Sequence, residues 1–100
     1  MKYNKLVRDK IIDIIKAKGE KAVFHIASDE EYGIKLKEKL SEEVSEFNAA
    51  ENEEEIADIL EVIDAIMEYK SFNKEKILEI KEKKAAEKGA FGEKVILDES

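Results

Sequence analysis

Two couplets of carboxylates, Glu43 with Glu46 and Glu55 with Asp58, carry the chemistry this sequence can do. Within each couplet the spacing is i, i+3, which on a helix sets both side chains on one side. Two such helices folded against each other bring four oxygen ligands together. Hard divalent cations such as Mg²⁺ take ligands of this kind, so the pattern reads as a metal site. The general acidity of the chain does not produce it.

The surrounding apolar residues sharpen that reading. At about 100° per residue, Leu36, Leu40, Glu43 and Phe47 fall on a single stripe, so Glu43 lies in the core-facing seam of its helix. An ionised carboxylate there costs on the order of several kcal/mol unless it is paired or bound to metal. Glu46 lies on the shoulder of the stripe. On the next helix, Glu55 falls inside the apolar arc and Asp58 at its edge. A turn centred near Ala50-Glu51 sets Glu46 and Glu55 equally far from it, with Glu43 and Asp58 one helical turn further out. In an antiparallel hairpin the two couplets are then level.

Each residue also has a plainer role open to it. Glu43 could be a polar seam residue paired with a lysine, and Glu46 could be solvated. Glu55 could serve only to cap its helix with Asn52, and Asp58 could make a surface interaction. Glu61 and Asp64 form a third couplet. Asp64 projects nearly opposite Glu55, so both couplets cannot face one ion. Glu61 is closer to Asp58 and could support the ligands or hold a second metal. Glu42 reads as a surface charge.

The elements that must position these groups are mostly helical. A first helix is expected from about Leu6 to Lys18, stopped at Gly19. Ser28-Asp29-Glu30-Glu31 is a capping box opening a long helix to about Asn48. Asn52 opens a helix to about Lys70, and Asn73 a fourth that ends near Lys88-Gly89. Ala22–Ile26 and Glu93–Leu97 read as short strands that could pair. The expected fold class is therefore all-α: a four-helix bundle-like domain with a central antiparallel helical hairpin and a small two-stranded β ribbon. The third helix is apolar over a wide arc, from Ile56 through Ile63 to Tyr69, which suggests a subunit interface or the inside of a bundle.

Composition sets the limits. One hundred residues suit a single domain. Charged residues make up 43% of the chain and the formal net charge is −7, which argues against nonspecific nucleic-acid or anionic-membrane binding. A phosphorylated substrate is still compatible where a metal and a few lysines or arginines reverse the field locally. The chain has no cysteine, no apolar run near the ~20 residues of a membrane span and no signal-peptide core, so a cytoplasmic protein is expected. His25, the sole histidine, reads as a strand residue with a satisfied side chain.

Four stretches resemble a known family. They are Tyr3-Asn4-Lys5-Leu6-Val7-Arg8-Asp9-Lys10-Ile11, the run Lys39 to Phe47, the run Glu55 to Ala65, and Lys88-Gly89-Ala90-Phe91. Together they resemble the all-α nucleoside-triphosphate pyrophosphohydrolases of the MazG-like superfamily, in particular the small phosphoribosyl-ATP pyrophosphohydrolase-like branch. Two departures stand out. Ile12 follows Arg-Asp-Lys-Ile where that branch often has proline, and the interval between the couplets is short.

The resemblance implies hydrolysis of a nucleoside triphosphate, or a related nucleotide, to a monophosphate and pyrophosphate. Mg²⁺, with Mn²⁺ as a substitute, would be held by Glu43, Glu46, Glu55 and Asp58, and would neutralise charge developing in an in-line attack. One of these carboxylates, with Glu43, Glu46 and Glu61 as the catalytic candidates, could orient or deprotonate the attacking water. Lys39, one turn before Glu43, could reach a phosphate, and Asn4, Lys5 and Arg8 could contact phosphate or base. Two other readings remain open: a silent nucleotide-binding or helical interaction module, and the reaction on phosphoribosyl-ATP itself. A homodimer or higher homo-oligomer is expected.

Overall fold

Three of the helices begin where a side-chain oxygen can take an orphan N–H of the first turn. Ser28 Oγ accepts from Glu31 N at 3.2 Å, Asn52 Oδ1 from Glu55 N at 3.1 Å, and Asn73 Oδ1 from Lys76 N at 3.2 Å. In the computed structural model, which describes residues 3–100, these caps open α2 (Asp29–Ala50), α3 (Glu53–Tyr69) and α4 (Lys74–Lys88). A shorter helix, α1 (Ile11–Ala17), precedes them. Among the described residues the regular elements are all helices, and none is long and apolar enough to cross a membrane.

α2 and α3 form the expected antiparallel hairpin and are the one extensively packed helix pair among the described residues. The connection is Glu51-Asn52, one residue on from the expected centre. Glu51 adopts the left-handed conformation (φ 51°, ψ 44°) and its N–H returns to Phe47 O at 2.7 Å. The open end of the hairpin is clamped by Tyr69. Its hydroxyl donates to Asp29 O at 2.9 Å, and its ring meets Tyr32 edge-on at 5.4 Å. Gly33 makes room for it: a Cβ at that position would lie 2.5 Å from the Tyr69 hydroxyl oxygen.

Three expectations are corrected. The first helix starts at Ile11, not Leu6, because residues ahead of it are tied to the hairpin instead. Lys5 bonds to Glu42, Arg8 to Asp58, and Asn4 O accepts from Lys35. These contacts outweigh a helix start that has no side-chain cap at Lys10. The β ribbon is absent among the described residues, and Val23, Ile26, Val95, Ile96 and Leu97 all stand exposed. An isolated two-stranded ribbon with no face to bury is marginal in water.

The four-helix bundle is likewise not assembled within one chain. No residue of α4 is buried, and the radius of gyration is 17.9 Å against the ~13 Å of a compact domain of this size. The lysine-rich α4 carries only a thin apolar stripe around Ile77, Leu78 and Ile80. The buried core is accordingly small: Leu36, 2% exposed, and Val62, 8% exposed, with Glu43 beside them.

Candidate metal centre

The hairpin brings Glu43, Glu46, Glu55 and Asp58 together, with one carboxylate oxygen from each lying within 4.8 Å of all the others. Opposite ligands around Mg²⁺ are about 4.2 Å apart, twice the Mg–O distance, so a slight contraction fits one such ion. α2 presents Glu43 and Glu46 from successive turns, and α3 presents Glu55 and Asp58 at the same level. The couplets face each other because the capped two-residue connection holds the helices in that register.

Glu43 is the buried member, 5% exposed. Removal from water raises its carboxyl pKa above the usual carboxylate range; Lys39 opposes that shift and Glu46 adds to it. Lys39 Nζ stands 3.2 Å from Glu43 Oε1, while Glu43 Oε2 is buried with no hydrogen-bond partner. Glu55 Oε2 is orphaned in the same way. The capping role of Glu55 is met by its backbone N–H, which leaves its carboxylate to the cluster. An unsatisfied buried carboxylate oxygen costs on the order of 1–3 kcal/mol or more. Two of them in one cluster fit a cation that accepts both. Glu46 is exposed and Asp58 half-buried, so the site opens to solvent on that side.

Cations border the acids. Arg8 Nη2 donates to Asp58 Oδ1 at 2.7 Å, with Nη1 3.9 Å from Glu61 Oε1. Lys5 Nζ reaches Glu42 Oε1 at 2.9 Å, and Lys39 also meets Glu42 Oε2 at 3.2 Å. The hydrogen bond from Lys5, followed by the one from Lys39, holds the Glu42 carboxyl below its usual range. Six carboxylates (Glu42, Glu43, Glu46, Glu55, Asp58 and Glu61) meet three cations (Lys5, Lys39 and Arg8), so the cluster carries excess negative charge that a divalent cation would offset.

The remaining sequence candidates divide. Lys39 belongs to the cluster directly. Lys5 and Arg8 border it, and Asn4 is held nearby through its carbonyl, which accepts from Lys35 Nζ at 2.9 Å. Glu61 is exposed and is linked to the four ligands only through Arg8; Asp64 is exposed outside them. Glu42, read as a surface charge, instead joins Lys5 to Lys39. His25 is in no strand, and its ring nitrogen meets Glu31 at 2.9 Å and 3.1 Å. Sequence reasoning passed over Lys35, although its position one turn before Lys39 placed it on the same helical face.

Over 46 residues the chain is 48% identical to an uncharacterized protein of Mycolicibacterium smegmatis. The aligned stretch is 46% of this chain and 47% of that protein, so the match spans about half the length of the relative. No protein-family model matches the chain, and no solved structure matches it.

Proposed function

We propose that the chain is a Mg²⁺-dependent nucleotide pyrophosphohydrolase, similar in kind to the MazG-like enzymes. It would cleave a nucleoside triphosphate or related nucleotide to a monophosphate and pyrophosphate. The observation that carries this reading is Glu43: a carboxylate in the core seam, one oxygen orphaned, with three further carboxylates converging on it. Pairing with Lys39 engages one Glu43 oxygen and leaves the other, buried and unpartnered, for a cation.

Glu43, Glu46, Glu55 and Asp58 are the residues to hold the ion, which when bound supplies positive charge to phosphate oxygens and to the attacking water. Lys39 and Lys5 offer point charges to a phosphate arriving from the α2 side. Arg8 can trade its Asp58 partner for a phosphate, to which its guanidinium offers two donors. Glu46, the solvent-facing carboxylate of the four, is the best placed to accept a proton from water. Glu61, outside the four-carboxylate cluster and beside Arg8, is the weaker candidate for that task.

The active form is a dimer or larger assembly of this chain. Leu60, Ile63, Ile77, Leu78 and Ile80 all lie open on α3 and α4, and a single copy has almost no core. Covering such side chains contributes about 1.5–3 kcal/mol each.

Pyrophosphate release from a nucleotide panel, phosphoribosyl-ATP included, tests the activity. Release from at least one nucleotide is expected with Mg²⁺ or Mn²⁺. Binding without turnover would favour a silent nucleotide-binding module, which is the reading that the Arg8–Asp58 pair favours if it never opens.

A further inference from the structure

A groove of about 200 Å³ lies beside the metal centre, between the Tyr3–Leu6 segment and α2. Tyr3, Asn4 and Lys5 line one side, and Lys35, Lys39 and Glu42 the other. Three lysines, Lys5 from one side and Lys35 and Lys39 from the other, outnumber the two lining carboxylates, Glu38 and Glu42, in a chain of net charge −7. Lys39 belongs to both places, since it lines the groove and touches Glu43. Anything seated in the groove is thus one side chain away from the carboxylates.

The segment is held in an uncommon shape to make this wall. Asn4 has φ 47°, in the left-handed region that asparagine enters more readily than other non-glycine residues. Lys35 holds the segment through Asn4 O, and Glu42 holds it through Lys5. Tyr3 is 65% exposed, with the Lys5 ammonium 5.6 Å from its ring centroid. Much of the ring surface is left for a flat partner. Whole ligands of drug size need about 300–1,000 Å³, so the groove suits one ring system and not an entire nucleotide.

We propose that this groove is the nucleobase subsite, with the base stacked on Tyr3 and the phosphates running past Lys5 and Lys39 to the carboxylates. The inference rests on the nucleotide reading above and adds which end of the substrate lies where. Stacking on an aromatic ring favours purines over pyrimidines and discriminates little among substituents. The groove therefore sets a preference for ring size, while Lys39 sets the register of the phosphate chain.

The test is titration of the full, isotope-labelled chain with adenosine 5′-monophosphate, uridine 5′-monophosphate and ribose 5-phosphate, followed by amide NMR. Adenosine monophosphate should shift Tyr3–Leu6 and Lys35–Lys39, uridine monophosphate should bind more weakly, and ribose 5-phosphate should affect only the surroundings of Lys39. Tyr3→Ala should weaken adenosine monophosphate about tenfold, leave ribose 5-phosphate unchanged, and be rescued by Tyr3→Phe. Unchanged adenosine monophosphate binding in Tyr3→Ala overturns the subsite, as does an identical response to ribose 5-phosphate or no shift at Tyr3–Leu6. Paramagnetic broadening by Mn²⁺ around Glu43 and Asp58 reports separately on the metal centre. Base binding without that broadening removes the metal reading and keeps the groove; broadening without base binding does the reverse.

Discussion

Arg8 Nη2 donates to Asp58 Oδ1 at 2.7 Å, joining the segment ahead of α1 to the face of α3 that carries the clustered carboxylates. The pair occupies an oxygen that the proposed divalent cation would need. It also explains why the residues ahead of Ile11 lie along the hairpin instead of extending α1.

Replacing Arg8 by methionine should separate metal binding from substrate handling. Loss of a cation beside the acids should tighten Mg²⁺ or Mn²⁺ binding several-fold by calorimetry, whereas nucleotide turnover should fall. Because both partners are substantially exposed, the stability change should stay within about 1 kcal/mol. Weaker metal binding in the variant would show that Arg8 orders Asp58 for the ion instead of competing with it.

The two shifted carboxyls give the metal-free protein an asymmetric pH response. Burial raises Glu43, so its folded state holds a proton more tightly than the unfolded chain. Stability from that site is present below the usual carboxylate pKa and is lost as pH rises through the raised value. Glu42 runs the other way: lowered by Lys5, it contributes above the usual value and loses that contribution as pH falls through the lowered one. Melting curves of metal-free protein should therefore improve from neutral to mildly acidic pH and decline again in stronger acid. Glu43→Gln should flatten the first limb, raise the neutral melting temperature and abolish stabilisation by Mg²⁺. A variant still stabilised by Mg²⁺ would remove Glu43 from the ligand set.

Gly33 and Tyr69 should be energetically coupled. Alanine in mid-helix ordinarily gains roughly 0.5–1 kcal/mol over glycine. Here its Cβ would displace the Tyr69 ring and its bond to Asp29 O, a cost of about 1–3 kcal/mol. Denaturant unfolding should show Gly33→Ala destabilising the native protein and stabilising a Tyr69→Ala background. Equal effects in both would mean the ring does not depend on the bare backbone at Gly33.

Self-association is the expected fate of the open apolar faces. Light scattering at micromolar concentration should give a dimer or larger species, and Leu60→Asp should shift it toward monomer. A monomeric native protein would contradict an interface on α3.

The couplets were legible because two periodicities agree. The i, i+3 spacing placed each pair on one face, and symmetry about Ala50-Glu51 placed the pairs level, one residue from the observed connection. The helix starts at Ser28, Asn52 and Asn73 were legible for a local reason, since a capping oxygen acts within three residues. What escaped depends on contacts distant in sequence. Nothing near Leu6 signals that Lys5 and Arg8 will bond to residues 37 and 50 positions away. Val23–Ile26 and Val95–Leu97 have strand-like composition, but a strand needs a partner edge and a face to bury, and local pattern reports neither. The apolar positions of α4 likewise announce a buried face without saying what covers it.

Glu43, Glu46, Glu55 and Asp58 are proposed to hold an ion that would neutralise phosphate charge while water cleaves a nucleotide between its α and β phosphates. Phosphorus NMR of the reaction mixture, run with Mg²⁺ on the native protein and on Glu43→Gln, tests it most directly. The expected result is pyrophosphate and monophosphate from the native protein and neither from the folded variant. Orthophosphate as the product, or equal turnover by the two proteins, would contradict it.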